Sequence, residues 1–84
     1  MYAVDVHPVV HTITQAIAPY IGQMMARTSI DAHCKRLGLD AARLAAGDVE
    51  RLLQQIALGL NVFIGREKTE KVMRDVRAEI GRQP

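Results

Sequence analysis

The stretch that decides the fold runs from Asp48 to Ile80, DVERLLQQIALGLNVFIGREKTEKVMRDVRAEI. It reads as two helices joined at Gly65. Asp48 is a residue type that caps helix N-termini, and Glu50 places a carboxylate in the first turn, where it complements the helix dipole. Val49, Leu52, Leu53, Ile56, Leu60 and Phe63 then recur with a 3.6-residue period. Arg51, Gln54 and Gln55 fall on the opposite face. Gly65 is expected to end this helix. The next one is expected to start near Arg66 and to bury Val72, Met73, Val76 and Ile80. Glu67–Lys71 and Glu70–Arg74 are spaced for acid-before-base pairs, each adding ~0.2–0.5 kcal/mol to a helix. Gly81 stops the second arm, and residues 82–84 form a tail. Each arm is apolar along one stripe only, so the hairpin needs further helices to cover it.

Upstream, Leu39–Gly47 reads as a connector. It holds a short turn, Ala41–Ala46, opened by Asp40, and Leu39 and Leu44 are expected to plug into the core. Before it, Ile30, Cys34 and Leu37 share a face. Lys35 and Arg36 occupy the last turn and Gly38 lies just beyond, the pattern of a helix C-terminus. Thr28-Ser29-Ile30-Asp31 resembles a capping box, so a bend or break is expected near Arg27–Ser29. Pro8 suits a first helical position. Val9, Ile13 and Ile17, with Tyr20, Ile21 and Met24, continue an apolar stripe from it. Pro19 is expected to end, kink or restart that helix, because proline removes one backbone bond and clashes with the preceding turn. Residues 2–7 alternate as a strand would, and are read as an extended segment or a frayed tail. No sequence repeat or low-complexity segment is evident. The expected fold is all-α: one domain over residues 1–84, a small orthogonal or up-down bundle of about four helices with a C-terminal hairpin.

Composition narrows the function. The chain has 84 residues, 49% of them hydrophobic, but only two tyrosines and one phenylalanine. Its core must therefore be aliphatic and methionine-rich. A chain this short buries only about 60–65% of its unfolded surface, so some apolar surface is expected to be covered by another chain. The net charge of +2 comes from eleven basic and nine acidic residues that are interleaved. That is unlike the clustered basic face of most nucleic-acid binders. The single cysteine, Cys34, permits no internal disulfide and fits a reducing compartment. The longest apolar run, Ile56–Ile64, is too short to span a bilayer, and the first residues lack the basic and apolar regions of a secretion signal. These readings point to a cytoplasmic protein without a membrane partner.

Few residues suggest chemistry. His7 and His11 are four apart, the spacing of a metal-ligand pair on a helix. Zinc needs three or four ligands, and adjacent His33 and Cys34 diverge by about 100° on a helix, so a metal-binding accessory role is the third reading. Cys34 lies on an apolar face with no base placed to activate it, and is read as a small buried hydrophobe. The carboxylates read as caps or as solvated charges, and the glycines form no phosphate loop. No enzyme activity and no cofactor are expected. The segment Cys34-Lys35-Arg36-Leu37-Gly38-Leu39-Asp40-Ala41-Ala42-Arg43-Leu44 resembles part of a helix-turn-helix. Cys34 matches the small residue four before the turn glycine, and Gly38 matches the glycine. Leu37, Leu39 and Leu44 match the flanking apolar positions. The resemblance implies a DNA-binding regulator whose contacts would come from Lys35, Arg36 and Arg43.

The leading expectation is a non-enzymatic interaction module, a small regulatory or accessory subunit of bacterial type. It would dimerise with itself or dock on another protein. The first helix carries more apolar surface than one neighbour can cover, so the expected interface is Val9, Val10, Ile13, Ile17, Tyr20, Ile21 and Met24. The adjacent pair Met24 and Met25 adds a flexible, adaptable surface.

Overall fold

A computed structural model describes residues 8–82. Four helices follow one another: α1 (Pro8–Ile21), α2 (Gln23–Leu37), α3 (Ala46–Ile64) and α4 (Arg66–Gly81). They pack as a four-helix bundle with no strand among the described residues. The segment 1–7 read as extended lies outside the described residues, as does His7.

Local chemistry explains the boundaries, and several differ from the sequence expectation. Pro19 does not break α1. It sits in the last turn, so the lost N–H removes one bond only, and the helix still closes through the Gly22 N–H donating to the Ala18 carbonyl at 2.7 Å. The break comes at Gly22, whose backbone (φ 89°, ψ 155°) is accessible essentially to glycine alone. α2 starts at once and runs unbroken through Arg27–Ser29. The change of apolar phase therefore belongs to a corner at Gly22, not to a bend inside a helix. At the far end of α2 the chain reverses through Gly38 in the left-handed conformation, with the Leu39 N–H donating to the Cys34 carbonyl at 2.8 Å. α3 begins two residues before Asp48. Asp48 is thus not the cap: its Oδ2 accepts from the Ala45 N–H at 3.1 Å, reaching back over the first turn.

The core is aliphatic. Val9, Val10, Ile13 and Ile17 of α1 meet Ala26, Ile30 and Cys34 of α2, Leu52, Leu53, Ile56 and Leu60 of α3, and Val72, Met73 and Val76 of α4. Leu44 plugs in from the connector, with Leu39 packed against it. Phe63 is a correction. The sequence places it on the α3 stripe, yet it is exposed, because the stripe drifts onto Ile64 as the helix leaves the bundle. The ion pairs differ too. Arg66 faces Glu70 at 3.8 Å and Lys71 faces Asp75 at 3.0 Å, in place of Glu67–Lys71 and Glu70–Arg74.

The buried positions reveal an internal repeat that the residue identities hide. Val9, Val10, Ile13 and Ile17 lie 43 residues before Leu52, Leu53, Ile56 and Leu60. The same offset relates Tyr20-Ile21-Gly22 to Phe63-Ile64-Gly65, Ala26 to Thr69, Ile30 to Met73, and Gly38 to Gly81. The corners match in geometry as well as in sequence. Gly65 (φ 86°, ψ 162°) copies Gly22, its N–H donates to the Asn61 carbonyl at 3.0 Å, and its carbonyl accepts from the Thr69 N–H at 3.1 Å. At the first corner the corresponding bonds are Gly22 to Ala18 and Ala26 to Gly22. Packing follows suit: α1 lies mainly on α2 as α3 lies on α4, and α1 meets α4 as α3 meets α2. The bundle is two helical hairpins, α1–α2 and α3–α4, with a slim contact between α1 and α3.

Candidate functional site

The seven residues expected to form an interface divide into two groups. Val9, Val10, Ile13 and Ile17 are buried inside the chain's own bundle and present no outer surface, which corrects that part of the expectation. The physical reason is that α1 touches three neighbours, α2, α4 and α3, not one. Tyr20 and Met24 are exposed, and Ile21 is half-buried at the edge of the core.

Among the described residues, six large apolar side chains stand exposed: Tyr20 (46%), Met24 (83%), Met25 (52%), Leu58 (63%), Val62 (84%) and Phe63 (67%). Five of them sit at or beside the two glycine corners, Tyr20, Met24 and Met25 around Gly22, and Val62 and Phe63 before Gly65. The corners share one end of the molecule, because Ile21 and Phe63 line the same groove of about 150 Å³ with Ile17, Leu60 and Gly59. The stretches leading through the two corners lack charge, and Arg27 and Arg66 follow them directly. No Asp, Glu, Lys or Arg occurs from Ala16 to Ala26 or from Ile56 to Gly65. The sequence reading marked Met24 and Met25 as an adaptable surface, placed Phe63 on the buried stripe and did not single out Val62. The signal was present as aromatic-Ile-Gly written twice, at the ends of α1 and α3.

The charged groups lie elsewhere. A groove of about 750 Å³ runs between α3 and α4, floored by Ala57, Leu58, Thr69 and Met73. Gln54, Asn61, Arg66, Glu70, Arg74 and Arg77 edge it. Arg77 Nη2 donates to Glu50 Oε1 at 2.7 Å and ties α4 to α3. Asn61 Oδ1 is buried with no donor among the described residues.

The remaining candidates are not brought together. His11 is exposed on α1, and no group of three or more His, Cys, Asp or Glu side chains placed to hold a metal exists among the described residues. Cys34 is buried, and its thiol is pushed above its ordinary value by that burial first and by the carboxylates of Asp31 and Asp40 next. A thiol held in its protonated form is a poor nucleophile. His33 is shifted the other way, downward, by burial and then by the Arg36 guanidinium. The helix-turn-helix expectation fails in its second helix. Residues 38–45 carry no helix; Asp40 organises a turn in which its Oδ1 accepts from the Ala42 N–H at 2.9 Å and its carbonyl accepts from the Arg43 N–H at 2.9 Å. Lys35, Arg36 and Arg43 are exposed, but Arg43 stands on that turn and not on a recognition helix. No helix among the described residues is long and apolar enough to cross a membrane. No family model, curated protein or solved structure matches the chain.

Proposed function

We propose that the protein is a non-enzymatic interaction module that pairs with a second copy of itself through the corner end of the bundle. One observation carries this reading: five of the six large apolar side chains exposed among the described residues gather at or beside the two glycine corners, in stretches 16–26 and 56–65 that contain no charged residue. Isolated exposed apolar residues are ordinary, but a contiguous group of them marks an association surface. The scarcity of charge in those stretches favours a second copy as the occupant, since two identical apolar faces then meet with little like-charge repulsion. A standard interface takes about 800 Å² from each partner, a small part of the 5448 Å² surface of this chain. Tyr20, Met24 and Phe63 are the expected anchors, aromatic and thioether side chains being favoured at the centres of interfaces. A regulatory or accessory role in the cytoplasm is the setting that fits such a module. Among the described residues Cys34 is buried with its thiol shifted toward the protonated form, Asp48 accepts from the Ala45 N–H, and Asp75 pairs with Lys71 at the surface.

Sedimentation velocity across micromolar concentrations tests the proposal. A dimer is expected, shifting to monomer in Met24→Ser and Phe63→Ser. A monomer at every concentration, or a dimer unaffected by either substitution, removes the corner end as the interface.

A further inference from the structure

The internal repeat supplies its own comparison, because each surface of one hairpin has a counterpart on the other. The two hairpins differ most along the face between their own two helices. In the first hairpin that face is closed. Thr14 is buried with its hydroxyl donating to the Val10 carbonyl at 2.7 Å, Cys34 is buried, and the Arg27 guanidinium lies 3.6 Å from Asp31. In the second hairpin the counterparts at the 43-residue offset are Ala57, Arg77, Glu70 and Arg74. Thr14 becomes the smaller Ala57, and buried Cys34 becomes exposed Arg77. The partially covered Arg27 and Asp31 become exposed Glu70 and Arg74, with their charges reversed. Residues that are covered in the first hairpin have counterparts lining a groove of about 750 Å³ in the second.

The chemistry of that groove is specific. Its floor, Ala57, Leu58 and Met73, is apolar, and Leu58 is the one exposed large apolar side chain away from the corners. Its rim carries three guanidiniums, Arg66, Arg74 and Arg77, against the single carboxylate of Glu70. Arg77 is tied to Glu50 at 2.7 Å and Arg66 lies 3.8 Å from Glu70, while Arg74 has no ion-pair partner among the described residues. Gln54 and Asn61 add amides, and Asn61 Oδ1 is buried without a donor. An apolar floor between positive edges matches a helix that is apolar on one stripe and acidic on both flanks, the helix-in-groove mode of recognition. Nucleic acid fits less well, since its backbone offers nothing for Leu58 and Met73 and is repelled by Glu70.

We infer that the α3–α4 groove docks an acidic amphipathic helix of a partner protein, with Leu58 and Ala57 receiving its apolar stripe and Arg74 and Arg66 its carboxylates. The inference extends the interaction-module reading and rests on Leu58 and Arg74, which lie away from the glycine corners, so the two are tested by different substitutions.

The test uses the full chain and a fluorescein-labelled helical peptide with leucines at helical spacing flanked by glutamates. A lysine-for-glutamate version, a duplex oligonucleotide and phosphatidylglycerol vesicles complete the set. The glutamate peptide is expected to bind with an affinity that falls as salt rises, and to shift the amide resonances of Ala57, Leu58 and Met73. Arg74→Glu and Leu58→Lys change exposed side chains, so the fold persists; each is expected to weaken binding roughly tenfold or more. Phe63→Ser is expected to leave it unchanged. Equal binding of the lysine peptide, tighter binding of the oligonucleotide or vesicles, indifference to Arg74→Glu, or no binding of the glutamate peptide overturns the inference.

Discussion

Replacing Ile13 by alanine is the substitution that most sharply separates a core role for α1 from an interface role. Ile13 is 0% exposed and sits where α1 meets the rest of the bundle. The change removes three buried carbons, worth about 2.4 kcal/mol at roughly 0.8 kcal/mol each. A cavity term adds to this, so the total falls at about 3–4 kcal/mol, within the range for buried Ile→Ala changes. For a chain of 84 residues, total stability is of the order of 4–13 kcal/mol, so the variant loses a large fraction of it. At about 4–8 °C per kcal/mol for a domain of this size, the melting temperature should fall by roughly 12–30 °C. The assay is thermal and urea unfolding followed by circular dichroism, at protein concentrations low enough to keep the chain monomeric. Met24→Ser, at a side chain 83% exposed, serves as the contrast and should stay within about 0.5 kcal/mol of the parent. If Ile13→Ala costs less than about 1 kcal/mol, or if Met24→Ser is the more damaging in the monomer, then α1 does not bury its stripe inside its own bundle.

Three further predictions concern the corners, a titration and a surface pair. Gly22→Ala and Gly65→Ala each force a Cβ onto backbone with φ near +90° and should each cost about 1–3 kcal/mol in urea unfolding; nothing lies within 4 Å of the added atom, so a clash cannot be the cause. His33 titrates below its ordinary value of 6.5 because of burial and Arg36. The unfolded chain therefore binds that proton more readily than the folded one, and the stability contribution is present above pH 6.5 and lost as pH falls below it. His33→Gln should flatten that part of the stability–pH profile, and an unchanged profile would show that His33 is not its source. Glu50→Gln breaks the exposed pair with Arg77 and should change stability by less than about 1 kcal/mol, as measured by its urea midpoint.

The hairpin of α3 and α4 was legible in the sequence because its apolar period, its glycines and its acidic first turn all agree. Leu52, Leu53, Ile56, Val72, Met73 and Val76 are buried as their spacing implies. The first half was less legible for a definite reason. Proline is the stronger helix breaker by propensity, so attention falls on Pro19, yet proline near a helix C-terminus forfeits little. The corner instead uses Gly22, whose conformation other residues rarely adopt. The repeat escaped notice because few identities survive at the 43-residue offset. What persists is the pattern of burial and the two aromatic-Ile-Gly corners, and burial is a tertiary property. The interface expectation failed at Val9, Val10, Ile13 and Ile17 for a related reason. A stripe facing three helices and a stripe facing a partner chain look alike in sequence. Only the packing shows that the uncovered apolar surface lies at the corners.

Self-pairing through the corner end is the central claim, and amide NMR spectra recorded on dilution from millimolar to low micromolar concentration test it most directly. Concentration-dependent shifts are predicted for residues 19–25 and 62–65, with Gln54, Ala57, Glu70, Arg74 and Arg77 of the α3–α4 groove and the buried stripe of α1 unchanged. Spectra that do not change on dilution, or changes centred away from the two glycine corners, would contradict it.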